Sequence, residues 1–353
     1  MQRKTAAHVH LDAIRENLAI ACSLAPQAQV IAVIKADGYG HGILRVAESL
    51  KERVSTFAVA TIDEAMVLRD AGLSNAVLVL EGVTSAESAA LARTHDLLLM
   101  VHTAEQIALA VEAKSSVWIK LDTGMHRLGF EGRELPGVLQ QLQAADVDVQ
   151  AICTHLACAD EVDSDATRRQ LDSFQTCTVG CDLPLSIANS AAIIAWPDAH
   201  ADWVRPGIML YGASPIGGEP LAAQPLQPAM TFSAQVIAVR KIAVGESVGY
   251  GAHWTCKRES LVATVGVGYA DGYPRHARNG TPVFVGGGIA PLVGSVSMDM
   301  ITVDVTDRPR VSIGDTAELW GRNVLVSDVA ASAGTISYDL LTGVSSRVPR
   351  LYS

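Results

Sequence analysis

The stretch VIAVIKADGYGHG occupies residues 30–42. Its first five residues are apolar without alternation, as expected of a parallel strand covered on both faces. The run ends on Lys35 and passes into a loop carrying Gly38, Gly40 and Gly42. Seven similar runs follow: Thr56–Ala60, Ala76–Leu80, Leu97–Val101, Val117–Leu121, Val149–His155, Pro184–Ala188 and Trp203–Met209. Between them lie amphipathic stretches such as Ile62–Ala71 and Ala104–Ala113, with apolar residues at helical spacing. With Val30–Lys35 as the first, eight strand–helix units over about 220 residues predict an α/β fold with an N-terminal (β/α)8 TIM-type barrel. A doubly wound open sheet is the alternative.

After residue 214 the texture changes. The segment PIGGEPLAAQPLQP (215–228) is rich in Pro and Gly and reads as a linker. Beyond it Ala234–Ile242, Ser260–Val267, Thr281–Val285, Ile289–Val293 and Met300–Val305 are β-like, punctuated by Asn279-Gly280 and by Gly286-Gly287-Gly288. The expected division is a barrel over residues 1–222 and a mostly β C-terminal domain over 223–353. The first nine or so residues are candidates to pack with the second domain.

The chain has 353 residues, 49% hydrophobic and 18% charged. That composition supports a large buried core and excludes disorder as the main state. Lys and Arg total 27 against 37 Asp and Glu, a formal net charge of −10. An acidic surface argues against nucleic acid or an anionic membrane as partner. No apolar run approaches the roughly 18 residues a membrane span needs. The N-terminal MQRKTAAHVHLD lacks the apolar core of a signal peptide, so the expected location is cytoplasmic. Six scattered cysteines, Cys22, Cys153, Cys158, Cys177, Cys181 and Cys256, suit free thiols in a reducing compartment. Their spacing around His155 lacks a standard zinc pairing, and no metal is expected.

In a barrel, reactive groups gather at the C-terminal ends of the strands. Here those ends carry Lys35, Asp122, His155, Asn189-Ser190 and Arg205-Pro206-Gly207-Ile208. An amine ending an apolar strand is only partly hydrated, which suits Schiff-base chemistry. The bland alternative is a lysine reaching solvent. Taken singly, His155 reads as a satisfied core histidine, Arg205 as half of a buried ion pair and Arg127 as an exposed loop arginine. Lys120 would then pair with a carboxylate such as Asp122, and Tyr269 and Tyr273 would be ordinary β-domain aromatics.

The run AVIKADGYGHG (32–42) resembles the cofactor-lysine motif of the alanine racemases. The resemblance recurs in KLDTGMHRLGF (120–130), THLACADE (154–161), ANSAA (188–192), WVRPGIMLYG (203–212), VGYGAHW (248–254), VGYADGYPR (267–275), SVSMDM (295–300) and SSRVPRLY (345–352). It implies pyridoxal 5′-phosphate (PLP) as cofactor, alanine as substrate and a homodimer with shared active sites. Lys35 would attach the cofactor and act as one catalytic base. Tyr269 would be the second base, reaching the barrel site of the partner subunit. Arg127, Met298 through its backbone N–H, and Asp299 would meet the substrate. Arg205 would face the pyridine nitrogen, with His155 between Arg205 and Tyr269. Tyr39, Asn189, Ser190, Gly207 and Ile208 would hold the phosphate end. Lys120 matches a lysine that can be carbamylated. A role in D-alanine supply for peptidoglycan, or in D-alanine breakdown, is implied.

Two positions depart from patterns common in the resembled family. Ser295 stands where an arginine is frequent, and Ser346 where some members carry a tyrosine. Both changes widen the expected access path, so turnover of serine as well as alanine is one alternative. A non-catalytic PLP-carrier barrel is another, although such proteins lack a β domain. A basic amino-acid decarboxylase on the same barrel would place a carboxylate, not Arg205, at the ring nitrogen.

Overall fold

The computed structural model describes residues 4–216 and 226–353. The expected domain boundary at residue 222 and most of the Pro/Gly-rich segment lie outside these described residues. All eight expected barrel strands form: Gln29–Val33, Thr56–Val59, Ala76–Val79, Leu98–Val101, Val117–Asp122, Val149–Cys153, Leu185–Asn189 and Trp203–Arg205. Every neighbouring pair is parallel, and the eighth strand pairs with the first, closing the ring. The fold is thus a (β/α)8 barrel and not an open doubly wound sheet. Helices such as Ile62–Asp70, Ala86–Thr94 and Ala104–Ala113 cover it. Each starts at a hydroxyl, from Thr61, Ser85 or Thr103, that accepts the backbone N–H three residues on.

The strand ends are shorter than the apolar runs. The first strand stops at Val33, so Lys35 opens the following loop. The eighth stops at Arg205, and Ile208–Tyr211 turns into a 3₁₀ segment. In both places the chain leaves the sheet while still buried, so hydrophobicity continues after the pairing has ended.

The second domain is a mostly antiparallel β structure built on the long strand Met230–Ile242, which pairs with Ser260–Val265 and Thr316–Trp320. Pro282–Val285 and Gly288–Pro291 form a hairpin around Gly286 and Gly287, at φ of 59° and 79°. Two strands escape the sequence pattern because they come from the chain's ends. Ala6–Val9 pairs with Met230–Ile242, and Arg350–Tyr352 lies parallel to Ala6–Val9. One continuous hydrophobic core runs from barrel to β domain. No helix among the described residues is long and apolar enough to cross a membrane.

Candidate active site

The loop after the first strand is a left-handed turn. Ala36, Asp37, Gly38 and Tyr39 have φ of 54°, 53°, 61° and 52°. For the three non-glycine residues this costs about 1–2 kcal/mol each. The surroundings fix it nonetheless. Asp37 Oδ1 accepts the Ile43 N–H at 2.8 Å. His41 Nδ1 donates toward the Gly38 and Tyr39 carbonyls at 3.1 and 2.8 Å, which assigns the proton to that nitrogen. Glu64 accepts the Ala36 N–H at 2.6 Å and the Ala60 N–H at 2.7 Å, tying two neighbouring loops together. Strain held by its environment in this way is frequent at functional sites.

The turn presents two side chains. Lys35 reaches into a cavity of about 480 Å³ in the barrel mouth, shared with Lys120, Arg127, His155 and Arg205. Tyr39 is buried beneath, its ring 4.7 Å from that of Tyr211. Burial pushes both phenols upward in pKa, so each stays a neutral O–H donor. Gly207 is required opposite: a Cβ there would lie 2.5 Å from the Tyr39 hydroxyl. Ser190 Oγ accepts the Gly207 N–H at 2.8 Å, and Ile208 follows directly. Asn189 Oδ1 is engaged in capping the next helix through the Ala192 N–H at 3.0 Å.

Arg205 is buried and held by several acceptors. It donates to Ser186 Oγ at 2.6 Å, to the Thr154 carbonyl at 2.7 Å and to the Ile187 carbonyl at 3.2 Å. Its remaining contact is His155 Nδ1 at 3.3 Å. A guanidinium only donates, so that nitrogen is the acceptor and His155 is neutral. Burial, reinforced by Arg205, pulls the imidazole pKa well below its ordinary value. The expected bland partner of Arg205, a carboxylate, is absent among the described residues.

Lys120 is likewise without a carboxylate. Asp122 accepts the backbone N–H groups of Gly124, Met125 and His126 and pairs with the His126 ring at 3.1 Å. Burial pushes the Lys120 ammonium down, and Arg205, Arg127 and Lys35 push the same way. The adjacent Cys153 thiol is held up in pKa by its own burial, so it supplies no anion to balance them. Glu81 also lines the cavity, near His102, so the wall is cationic on balance: four cationic side chains against one carboxylate. Among the described residues no three His, Cys, Asp or Glu side chains converge as a metal site.

Tyr269, Met298 and Asp299 are not brought to this cavity within the chain. They sit on the β domain at 41%, 53% and 49% exposure. Met300 of the 295–300 block and Tyr250 of the 248–254 block are exposed as well. Residues the sequence reading did not single out include Glu64, whose carboxylate accepts two backbone N–H groups, and Ser186 and Thr154, which accept from Arg205 through a hydroxyl and a carbonyl.

Family profiles for the N-terminal and C-terminal domains of alanine racemase match residues 9–215 and 229–352. The closed barrel with a cationic mouth, joined to this β domain, is the architecture of an amino-acid isomerase. An alanine racemase of Alteromonas mediterranea is 45% identical over 99% of each chain. The biosynthetic alanine racemase structure from Pseudomonas aeruginosa superposes with a TM-score of 0.96 at 46% identity, covering 100% of both chains. The Bartonella henselae structure, described with covalently bound pyridoxal phosphate, gives 0.91 at 30% identity over 100% of both chains. The chain belongs to the alanine racemase family, and its reaction is the interconversion of L- and D-alanine.

Proposed function

We propose that the chain racemises alanine with pyridoxal phosphate as cofactor and with two bases on opposite faces of the substrate Cα: Lys35 and the partner subunit's Tyr269. The observation that carries this reading is the cluster of Lys35, Lys120, Arg127 and Arg205, four cations against the single carboxylate of Glu81, next to the phenol-and-glycine cradle at Tyr39 and Gly207. That donor set suits a ligand with a phosphate at one end and a phenolate oxygen at the other. Tyr39, Ser190, Gly207 and Ile208 would hold the phosphate, at a barrel's usual anion position. Asn189 would shape that end through the helix it caps.

When bound, the cofactor draws electrons from the substrate Cα and makes its proton acidic. The remaining work falls to the chain's own groups. Lys35 takes or returns the proton at its amine on one face, and the partner's Tyr269 does so at its hydroxyl on the other. Arg127 binds the substrate carboxylate, aided by the partner's Met298, whose backbone N–H donates. The partner's Asp299 stands beside it. Arg205 would face the ring nitrogen as a permanent donor, which would leave that nitrogen unprotonated and disfavour transamination. A carbamate on Lys120 would place an anion beside Arg127 and orient it.

The test is spectroscopic and chemical. The purified protein should absorb near about 420 nm, and borohydride should fix the cofactor on Lys35. Lys35→Ala should abolish both the adduct and racemisation. A colourless protein that cannot be reconstituted, or an active Lys35→Ala variant, refutes the reading.

A second reading, turnover of serine beside alanine, is favoured by one observation. A further cavity of about 400 Å³ opens beside the left-handed turn, lined by Ala36, Asp37, Ser346 and Arg350. Ser346 leaves that space open where a tyrosine side chain would enter it.

A further inference from the structure

The two loops that would reach the partner's site are packed back to back. The Tyr269 N–H donates to the Ser297 carbonyl and the Ala270 N–H to the Met298 carbonyl, both at 3.0 Å. At Gly268 the approach is so close that a Cβ would lie 2.4 Å from the Met298 carbonyl. One side chain spans the pair. Arg347 Nε meets Asp271 Oδ1 at 2.9 Å, and its Nη2 donates to Asp299 Oδ1 at 2.6 Å. Asp271 is 1% exposed, and its other oxygen accepts the Gly268 N–H at 2.8 Å, one residue before Tyr269. The Ser345 N–H donates to the Asp271 carbonyl at 3.1 Å, anchoring the C-terminal segment that carries Arg347 to the same turn.

We propose that Arg347 is a positioning residue that acts across the dimer: with Asp271 and Asp299 it locks the Tyr269 turn and the Met298–Asp299 loop into one rigid unit presented to the partner subunit's cavity. This rests on the shared-site reading above. A planar guanidinium suits the task because its donors are fixed relative to one another, so two carboxylates bound to it are fixed as well. A lysine at 347 would offer a single point of charge and hold the two loops less strictly. Without the clamp, the base and the backbone N–H that meets the substrate carboxylate move independently. Both kcat and KM are then affected, because positioning within fractions of an ångström governs such steps.

The experiment is subunit complementation, with two homodimeric variants mixed, unfolded and refolded together. The control pairs Lys35→Ala with Tyr269→Phe. Random pairing makes half the dimers mixed, each with one intact site, so about a quarter of wild-type activity should return. Failure of this control refutes shared sites, and the clamp's action across the dimer falls with them. Arg347→Met homodimers should lose about tenfold or more in kcat/KM while staying folded and dimeric at the assay temperature, with a lowered thermal midpoint because buried Asp271 loses that guanidinium. Mixing them with Lys35→Ala subunits should also restore about a quarter of wild-type activity, at wild-type KM, because the regenerated site takes Tyr269 and Arg347 from the Lys35→Ala chain. If the control succeeds and this mixture does not, Arg347 acts within its own subunit and the proposal is overturned. Wild-type activity in Arg347→Met homodimers overturns it as well. Arg347→Lys keeps the charge and guards against a folding defect: an intermediate kcat/KM with the same complementation supports the clamp, and full loss without complementation refutes it.

Discussion

Replacing Gly207 with alanine should weaken cofactor binding through a single clash. The new Cβ would lie 2.5 Å from Tyr39 Oη and 3.2 Å from its Cζ. An ordinary contact begins near 3.4 Å, so the hydroxyl must retreat by about 0.9 Å. It has little room to do so. Its ring stacks on Tyr211, which is itself fixed by its hydroxyl donating to the Val33 carbonyl at 3.1 Å and by the His41 ring at 4.7 Å. Moving the backbone instead would break the Gly207 N–H bond to Ser190. Overpacking of this kind costs about 1–3 kcal/mol. If that cost falls on the cofactor-bound state, the dissociation constant for pyridoxal phosphate rises roughly 5- to 150-fold. Titrating cofactor-free protein with pyridoxal phosphate, followed by fluorescence quenching, measures it. The decisive variant is the double one. Tyr39→Phe removes the clashing oxygen and also one phosphate donor, so by itself it should cost about tenfold. Gly207→Ala added to Tyr39→Phe should then cost little more. Independent, multiplying losses would refute the steric account, because residues in contact should not be additive.

Four further outcomes are expected. Burial lowers the His41 pKa from 6.5 to about 4, so the folded protein keeps that ring neutral. The unfolded chain binds the extra proton below pH 6.5, and stability therefore falls as pH drops from 6.5 to about 4, by about 3 kcal/mol in total, with no such cost above pH 6.5. Denaturant melts of wild type against His41→Asn across this window check it; identical pH slopes would contradict it. Glu64→Gln keeps one acceptor oxygen where two backbone N–H groups need two, and should lower kcat/KM about tenfold or more by loosening the Lys35 turn. Steady-state assays decide it, and an unchanged value sinks the positioning role of Glu64. Lys120 should take up carbon dioxide: ¹³C-labelled bicarbonate should give a carbamate resonance in wild type and none in Lys120→Arg, and L-serine should show kcat/KM above background in the same preparations.

Much of the candidate site was legible in the sequence because its charged and polar groups sit where apolar strands end. Lys35, His155 and Arg205 each follow a buried run, and a polar residue at such a junction stands out against its neighbours. What stayed hidden was whatever acts on backbone. Glu64 lies in an ordinary amphipathic helix, and only the fold shows its carboxylate spanning two loops. Arg347 was visible inside a block resembling the family, but its two carboxylate partners lie 48 and 76 residues away in sequence (347 − 299 and 347 − 271). The apolar runs likewise overstated the strands, since burial persists past the last ladder bond.

Composition and the spacing of apolar runs determined the barrel, because burial on both faces of a parallel strand leaves few polar choices and strand–helix alternation leaves few topologies. Tertiary structure alone decided the conformation of residues 36–39. A left-handed turn in non-glycine residues is unfavourable locally, and it persists only because His41, Glu64 and Asp37 bind it from three sides. The cationic mouth was also a tertiary decision: lysines and arginines from the first, fifth and eighth strands and the loops after them meet there, and the nearby Asp122 carboxylate binds backbone.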